Sequence, residues 1–229
     1  MELDRKYQQR IVHLTANPAG RDLGSLSEEI ERHFGELKVP PGFEMRLGGQ
    51  TKQQRETFAS LRFSMAVAIM LVYMVLASQF RSLLDPVIIM LSVPLGLTGV
   101  LWALFLTRTT LSTTSFMGVI MMVGIVVSNG VLLVDYTNIL RRRGLDLHEA
   151  VITAGRTRLR PILMTTLATI FGLLPMALGW AVGSETNAPL ARAVLGGLSV
   201  STLLTLLFIP TLYTIIEERF HREIRPEEE

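Results

Sequence analysis

No cysteine occurs in the 229 residues. That excludes a disulfide framework, thiolate metal ligation and a cysteine nucleophile together. It leaves the compartment open, because a segment outside the cytoplasm need not contain a disulfide. Charge is scarce as well. Only 18% of residues are Asp, Glu, Lys or Arg, the formal net charge is +2, and no basic face of a soluble domain accompanies them, so nucleic acid is not an expected partner. His13 and His33 stand at no metal-ligand spacing. The eleven methionines are scattered, without the paired spacing of a copper path. No metal site and no cofactor are expected, and with no nucleophile–base pair in view an enzyme reading has no support. An export signal is missing too: Met1 is followed by ELDRKYQQR, and no apolar stretch precedes residue 61.

What the chain does have is uninterrupted apolar sequence. Its hydrophobic residues, 49% of the total, gather in blocks, which points to membrane solvation and not to one globular core. The chain is organised around residues 116–175. Residues 116–134 and 161–182 are charge-free runs of 19 and 22 residues, each long enough to cross ~30 Å of hydrocarbon as a helix. Between them Arg141, Arg142, Arg143, Arg156, Arg158 and Arg160 stand against only Asp146 and Glu149. Short loops this rich in arginine stay cytoplasmic. Ser128 and Asn129 lie in the first run, and Thr165, Thr166 and Thr169 in the second. Polar side chains at that depth face other helices or a wet pathway, because lipid offers them no partner.

Taken in order, the expected fold class is mainly α: a polytopic membrane protein of five transmembrane helices preceded by a small α+β segment. In residues 1–57, residues 10–16 (RIVHLTA) alternate as a strand, and Pro18 with Gly20 marks a turn. Ser25 and Glu28 have capping-box spacing and open a helix with Leu26, Ile30, Phe34 and Leu37 on one stripe. Phe43, Met45 and Leu47 alternate as a second strand. One helix on two strands is half of a split β-α-β sandwich and too small to bury a core alone. Residues 58–220 form the transmembrane domain, with spans at about 61–80, 86–106, 116–136, 161–182 and 193–216, and residues 221–229 are a solvated tail. The sides holding Arg81, the arginine hinge and Arg219, Arg222 and Arg225 belong together and are expected inside. Five spans then put the N-terminal segment outside with no signal to carry it there. The expectation that follows is an upstream span, with this chain the C-terminal fragment of a larger transporter.

Five blocks carry a family resemblance: RIVHLTANPAGRDLG (10–24), ASQFRSLLDPVIIMLSVPLGLTG (77–99), MMVGIVVSNGVLLVDY (121–136), RLRPILMTTLATIFGLLPMALG (158–179) and GSETNAPLARAVLGGL (183–198). In this order the chain closely resembles the C-terminal part of resistance–nodulation–division efflux pumps. The resemblance implies a whole pump of two homologous halves, each with six transmembrane helices and a large periplasmic insert. This chain would supply the last piece of the second insert, resembling part of a ferredoxin-like porter subdomain, and the last five helices. It further implies a bacterial inner-membrane protein with a periplasmic N-terminal segment and a cytoplasmic C-terminus. The implied partners are the missing N-terminal half, two further copies in a homotrimer, a periplasmic adaptor, an outer-membrane channel and membrane lipid. The implied activity is secondary active export of drugs or other amphiphiles, coupled to an ion gradient, which the resemblance implies to be of protons; metal ions are the alternative substrate class. A different class of reading is a non-transporting membrane scaffold or a truncated pseudo-pump subunit.

The resemblance also assigns residues. Ser128 occupies the position where proton-driven relatives carry lysine in the pattern G-x-x-x-K-N, here Gly124 to Asn129. Serine cannot carry that charge; it offers one donor and two acceptor lone pairs. Either the other half has adjusted its carboxylates, or a water or cation takes the lysine's place. The alternative for Ser128 is a packing hydrogen bond to a neighbouring helix. Arg158 and Thr165 match the family residues that assist the relay, and with Gly172 they recur every seven residues near one stripe; Arg158 reads equally as a positive-inside anchor. Asp135 is seven residues from Ser128 and reads either as a capping or salt-bridge residue at the cytoplasmic mouth or as a proton acceptor. Ala193, Gly197, Ser201 and Thr205 recur every four residues, a small-residue stripe that lets helices approach closely. Pro94, Pro175 and Pro210 are candidate kink points.

Overall fold

The computed structural model describes residues 4–6, 9–12, 14–16, 23–37, 39–40, 42–45, 47–48, 50–180 and 183–220. Among them the order is β1 (Asp4–Lys6), β2 (Gln9–Ile11), α1 (Leu23–Phe34), α2 (Gln50–Phe80), α3 (Leu84–Met90), α4 (Ser92–Leu106), α5 (Thr113–Arg142), α6 (Leu147–Leu178), a 3-10 turn (Ser184–Thr186) and α7 (Ala188–Phe220). The chain divides into two compact units, Met1–Glu56 and Thr57–Glu229.

In the first unit β1 and β2 pair antiparallel, with Asp4 opposite Ile11. The expected strand at 10–16 is therefore realised only at its start, and Phe43, Met45 and Leu47 carry no strand. Two three-residue strands offer no sheet face wide enough for a helix to settle on. Helix α1 begins at Leu23, so Ser25 lies inside it and does not cap it. Leu26, Ile30 and Phe34 are half-buried on one stripe and Leu37 is exposed. Glu31 receives two hydrogen bonds from Arg55, at 2.6 and 2.9 Å. The Arg55 guanidinium holds the Glu31 carboxyl below its ordinary range. The turn expected at Pro18–Gly20, His13 and the tail 221–229 lie outside the described residues.

The second unit holds five helical stretches long and apolar enough to cross a membrane: Lys52–Phe80, Leu84–Leu106, Thr113–Arg142, Leu147–Leu178 and Ala188–Arg219. Local chemistry sets their ends. Helix α2 stops at a turn in which Arg81 takes a positive φ of 49°. Ser82 Oγ then accepts from the free N–H groups of Leu84 and Asp85 at 3.2 and 3.3 Å. The second span breaks at Leu91 into α3 and α4, because Pro94 has no N–H to return to the carbonyl four residues back and its ring crowds that carbonyl. Pro175 and Pro210 stay inside continuous helices. At the head of α5, Ser112 and Ser115 cap each other reciprocally. Helix α6 ends at Gly179, whose φ of 73° is open to glycine without strain.

The arginine hinge is shorter than the sequence implied. Helix α6 starts at Leu147, not at 161, so Arg156, Arg158 and Arg160 are helical and the connection is residues 143–146. A helix need not stop where the hydrocarbon does. Here Ala150 and Ala154, both fully buried, keep its first turns packed against the bundle.

Helix α7 is the hub, packing against α4, α5 and α6. Its approach to its neighbours is set by glycine. Gly196 lies against Ala103 and Gly99 of α4, and a Cβ on Gly118 of α5 would come within 2.6 Å of the Leu190 carbonyl. Without a hydrophobic driving force between helices in lipid, such backbone proximity supplies the attraction through van der Waals contact. Helix α2 is the opposite: it touches the bundle through Leu76 and Phe80 at one end and an edge-on Phe58–Phe116 pair at the other, with little between. The two tryptophans of the chain, Trp102 and Trp180, are exposed near the ends of α4 and α6, where an amphipathic ring suits a membrane–water boundary.

Candidate functional site

Ser128 lies on an exposed stripe of α5 with Met117, Met121, Gly124 and Leu132. Nothing in the chain comes within 4 Å of a Cβ built on Gly124. Thr165 on α6 is likewise exposed; its hydroxyl donates back to the Ile162 carbonyl at 3.0 Å, and the space over Gly172 is open. The register between the two helices follows from Arg158, whose guanidinium stands 4.6 Å from the centroid of the Tyr136 ring. α5 and α6 are consecutive and antiparallel. Ser128 is eight residues back from Tyr136 and Thr165 seven forward from Arg158, so both hydroxyls lie about two turns beyond that contact on the same side of it. Both lie on open helix surface, and no described helix of this chain covers them.

The other named residues have different surroundings. Asn129 turns inward and is 6% exposed, and its Nδ2 finds no partner among the described residues. Arg158 is half-buried and spends its charge on the Tyr136 face, with Nε unbonded among the described residues. Asp135 is half-buried inside α5, which runs on to Arg142, so it caps no helix. Ala193 and Ser201 are buried, and a Cβ on Gly197 would lie 2.6 Å from Met122 Cγ. Among the described residues no three His, Asp or Glu side chains gather in a way that could hold a metal ion.

Sequence reasoning missed a polar cluster at the other end of the bundle. Asp85 is 1% exposed on α3. Asn138 donates to its Oδ2 at 3.2 Å, and Tyr213 donates to Asn138 Oδ1 at 2.5 Å. Arg141 bonds the Tyr213 hydroxyl at 3.2 Å and pairs with Glu217 at 2.6 Å. The signal was available: Asn138 with Arg141, and Tyr213 with Glu217, are polar pairs one turn apart on two helices that end on the same side. At the opposite end Arg192 donates to the Ala177 carbonyl at 3.0 Å and to Thr109 Oγ1 at 2.8 Å, tying α6, α7 and the loop after α4 together.

A model of the AcrB/AcrD/AcrF family matches residues 1–217. The chain belongs to this resistance–nodulation–division family. It is 35% identical over 219 residues to the cobalt-zinc-cadmium resistance protein CzcA of Cupriavidus metallidurans, matching 95% of this chain and 21% of that one. It is 36% identical over 201 residues to the multidrug resistance protein MdtC of Proteus mirabilis, with 87% and 20% covered. The crystal structure of a heavy metal efflux pump superposes with a TM-score of 0.78 at 35% identity, covering 88% of this chain and 20% of that one. The chain thus spans about a fifth of the length of the relatives it matches. Members of the family are inner-membrane proteins, in keeping with five helices able to span a bilayer.

Proposed function

We propose that this chain serves as the C-terminal membrane portion of an ion-driven efflux permease, working with the helices that correspond to the rest of its relatives. The observation that carries the reading is the exposure of both Ser128 and Thr165, on helix surface that the chain's own bundle leaves bare. Lipid is a poor solvent for such a face, and a facing helix with polar groups is a good one. In this role Ser128 and Thr165 line the coupling pathway with Arg158 and Asp135, Asn129 backs it from the buried side of α5, and Ala193, Gly197 and Ser201 keep α7 tight against its neighbours. Because Ser128 brings no fixed positive charge, a carboxylate pair opposite would lack the cation that holds it ionised. The partner half then has fewer carboxylates, or a water or small cation fills the gap. The N-terminal unit is periplasmic and belongs to a porter subdomain, the C-terminus is cytoplasmic, and the assembly is a homotrimer served by an adaptor and an outer-membrane channel.

Two substrate classes are supported by relatives of similar identity, a metal-resistance protein and a multidrug-resistance protein. The solved heavy metal efflux pump favours metal ions. Reconstituting the whole transporter in liposomes with imposed proton or sodium gradients tests the reading. Gradient-dependent movement of a divalent metal or an amphiphilic dye is expected, with the 229-residue chain alone inactive. No transport of either class under either gradient would leave the scaffold reading in its place.

A further inference from the structure

Most hydroxyls inside these helices are satisfied by their own backbone. Ser92, Thr137, Thr165, Thr169, Ser201 and Thr211 each donate to a carbonyl three or four residues back. Thr166 and Thr202 face each other across α6 and α7 at 3.2 Å. Thr205 does neither. It is 1% exposed, and its Oγ1 has no hydrogen-bond partner among the described residues, although one common rotamer of a helical threonine reaches a carbonyl of the preceding turn. Asn129 Nδ2 is the second such atom, on a side chain 6% exposed. A buried polar group left unpaired costs roughly 1–3 kcal/mol. Arg158 Nε and Glu217 Oε2 also lack a hydrogen-bond partner among the described residues, but each belongs to a charged group with another contact, the Tyr136 ring and Arg141 respectively. Thr205 and Asn129 are the two neutral groups left, and they call for a common cause.

The packing brings them to one layer. Met122 of α5 reaches Gly96 of α4 and Gly197 of α7; Asn129 is one heptad further along α5 and therefore on the same face. Gly130 rests against Ile209 and Ile89, and Thr205 is one turn before Ile209 on α7. Helix α4 runs antiparallel to α7, with Gly96 beside Ser201 and Gly99 beside Gly196. Ser92, one turn before Gly96, therefore comes level with Thr205, one turn after Ser201. Ser92 is fully buried and donates to the Ile89 carbonyl at 2.5 Å, which leaves its oxygen free to accept. The layer falls between two separate apolar clusters, one around Ile88, Leu133 and Tyr213 and one around Val100, Met122 and Leu198.

We propose that a single buried water is bound in this layer between α4, α5 and α7. It accepts from Asn129 Nδ2, exchanges a hydrogen bond with Thr205 Oγ1 and donates to Ser92 Oγ. Water fits because it is donor and acceptor at once and needs two to four partners; a bare cation could not accept the amide proton. The site stands on helix packing and does not depend on the transport reading.

Thermal unfolding of the full chain in lipid nanodiscs tests it. Thr205→Val removes no protein hydrogen bond, so a dry site would leave the midpoint unchanged or raise it. With the water bound, Thr205→Val and Asn129→Leu each lower the midpoint by about 2–4 °C. The double variant falls no further than the worse single one, because the water is lost once. An unchanged or higher midpoint for Thr205→Val, full additivity, or a midpoint that follows sodium concentration would each overturn the proposal. Should Asn129→Leu fail to fold, nuclear magnetic resonance on the unsubstituted chain decides. Magnetisation transfer from water to the Asn129 side-chain amide supports the site, and none contradicts it.

Discussion

The glycines inside α4, α5, α6 and α7 divide into two populations, and the division separates two regions of the bundle. In the seam of α4, α5 and α7, Gly96, Gly99, Gly118, Gly130, Gly196 and Gly197 each have neighbours where a Cβ would go. On the outer faces of α5 and α6, Gly124, Gly155 and Gly172 have nothing within 4 Å. The seam is finished: its small residues are used up in backbone approach, and its polar atoms point inward. The outer face is open: its glycines and its Ser128 and Thr165 hydroxyls meet no described helix of this chain. Under the proposed function the seam is the rigid body and the open face the docking face, and mutations should sort accordingly.

The largest effect is expected from overfilling the seam. Gly197→Leu drives a side chain into Met122 and Val100, which stand 2.6 and 2.9 Å from a bare Cβ. Its cost should exceed the roughly 1–3 kcal/mol of ordinary overpacking. Gly172→Leu, on the open face, should leave the chain's folded yield unchanged by size-exclusion chromatography, and Leu204→Ala should be mild. Equal loss for Gly197→Leu and Gly172→Leu would erase the distinction between the two regions.

Next comes the ion pair that pins the seam at one end. The Arg141 and Glu217 side chains are 14% and 3% exposed, so removing one takes the counter-charge from a poorly solvated partner. Glu217→Ala should cost about 3–5 kcal/mol, and Arg141→Met with Glu217→Leu together should cost less than either single change. Thermal midpoints in nanodiscs measure both.

How much of this could be read from the chain itself depends on the length scale of the signal. The five spans were legible because lipid demands long apolar runs, and the family because whole motifs recur in order. The start of α6 was not, because Ala150 and Ala154 bury against the bundle in a stretch whose arginines look like a loop. The Leu91 break was only half legible: Pro94 marked a kink, but not a division of the span. The cluster around Asp85 was half legible: the polar pairs on α5 and α7 hint at it, but Asp85 lies 53 residues from Asn138 in sequence, and no local pattern points from one to the other. Ser128 and Thr165 were singled out by position in the motif, whereas their exposure is a property of the fold.

A smaller effect is expected where the seam meets α6. Thr166→Val removes one partner of the Thr166–Thr202 pair, and interhelical hydrogen bonds of this kind average about 0.6 kcal/mol. The shift should be small but measurable, and Thr202→Val should add little to it.

The measurement closest to the central claim compares Ser128→Ala and Thr165→Ala in the complete transporter, with transport normalised to the amount of protein in the membrane. Both remove a hydroxyl from the open face and disturb no packing in the seam. The account predicts that each lowers transport under the driving gradient while the amount of folded protein stays the same. If both variants pump at the unsubstituted rate under proton and under sodium gradients, the polar face of α5 and α6 serves packing alone, and the coupling assignment is wrong.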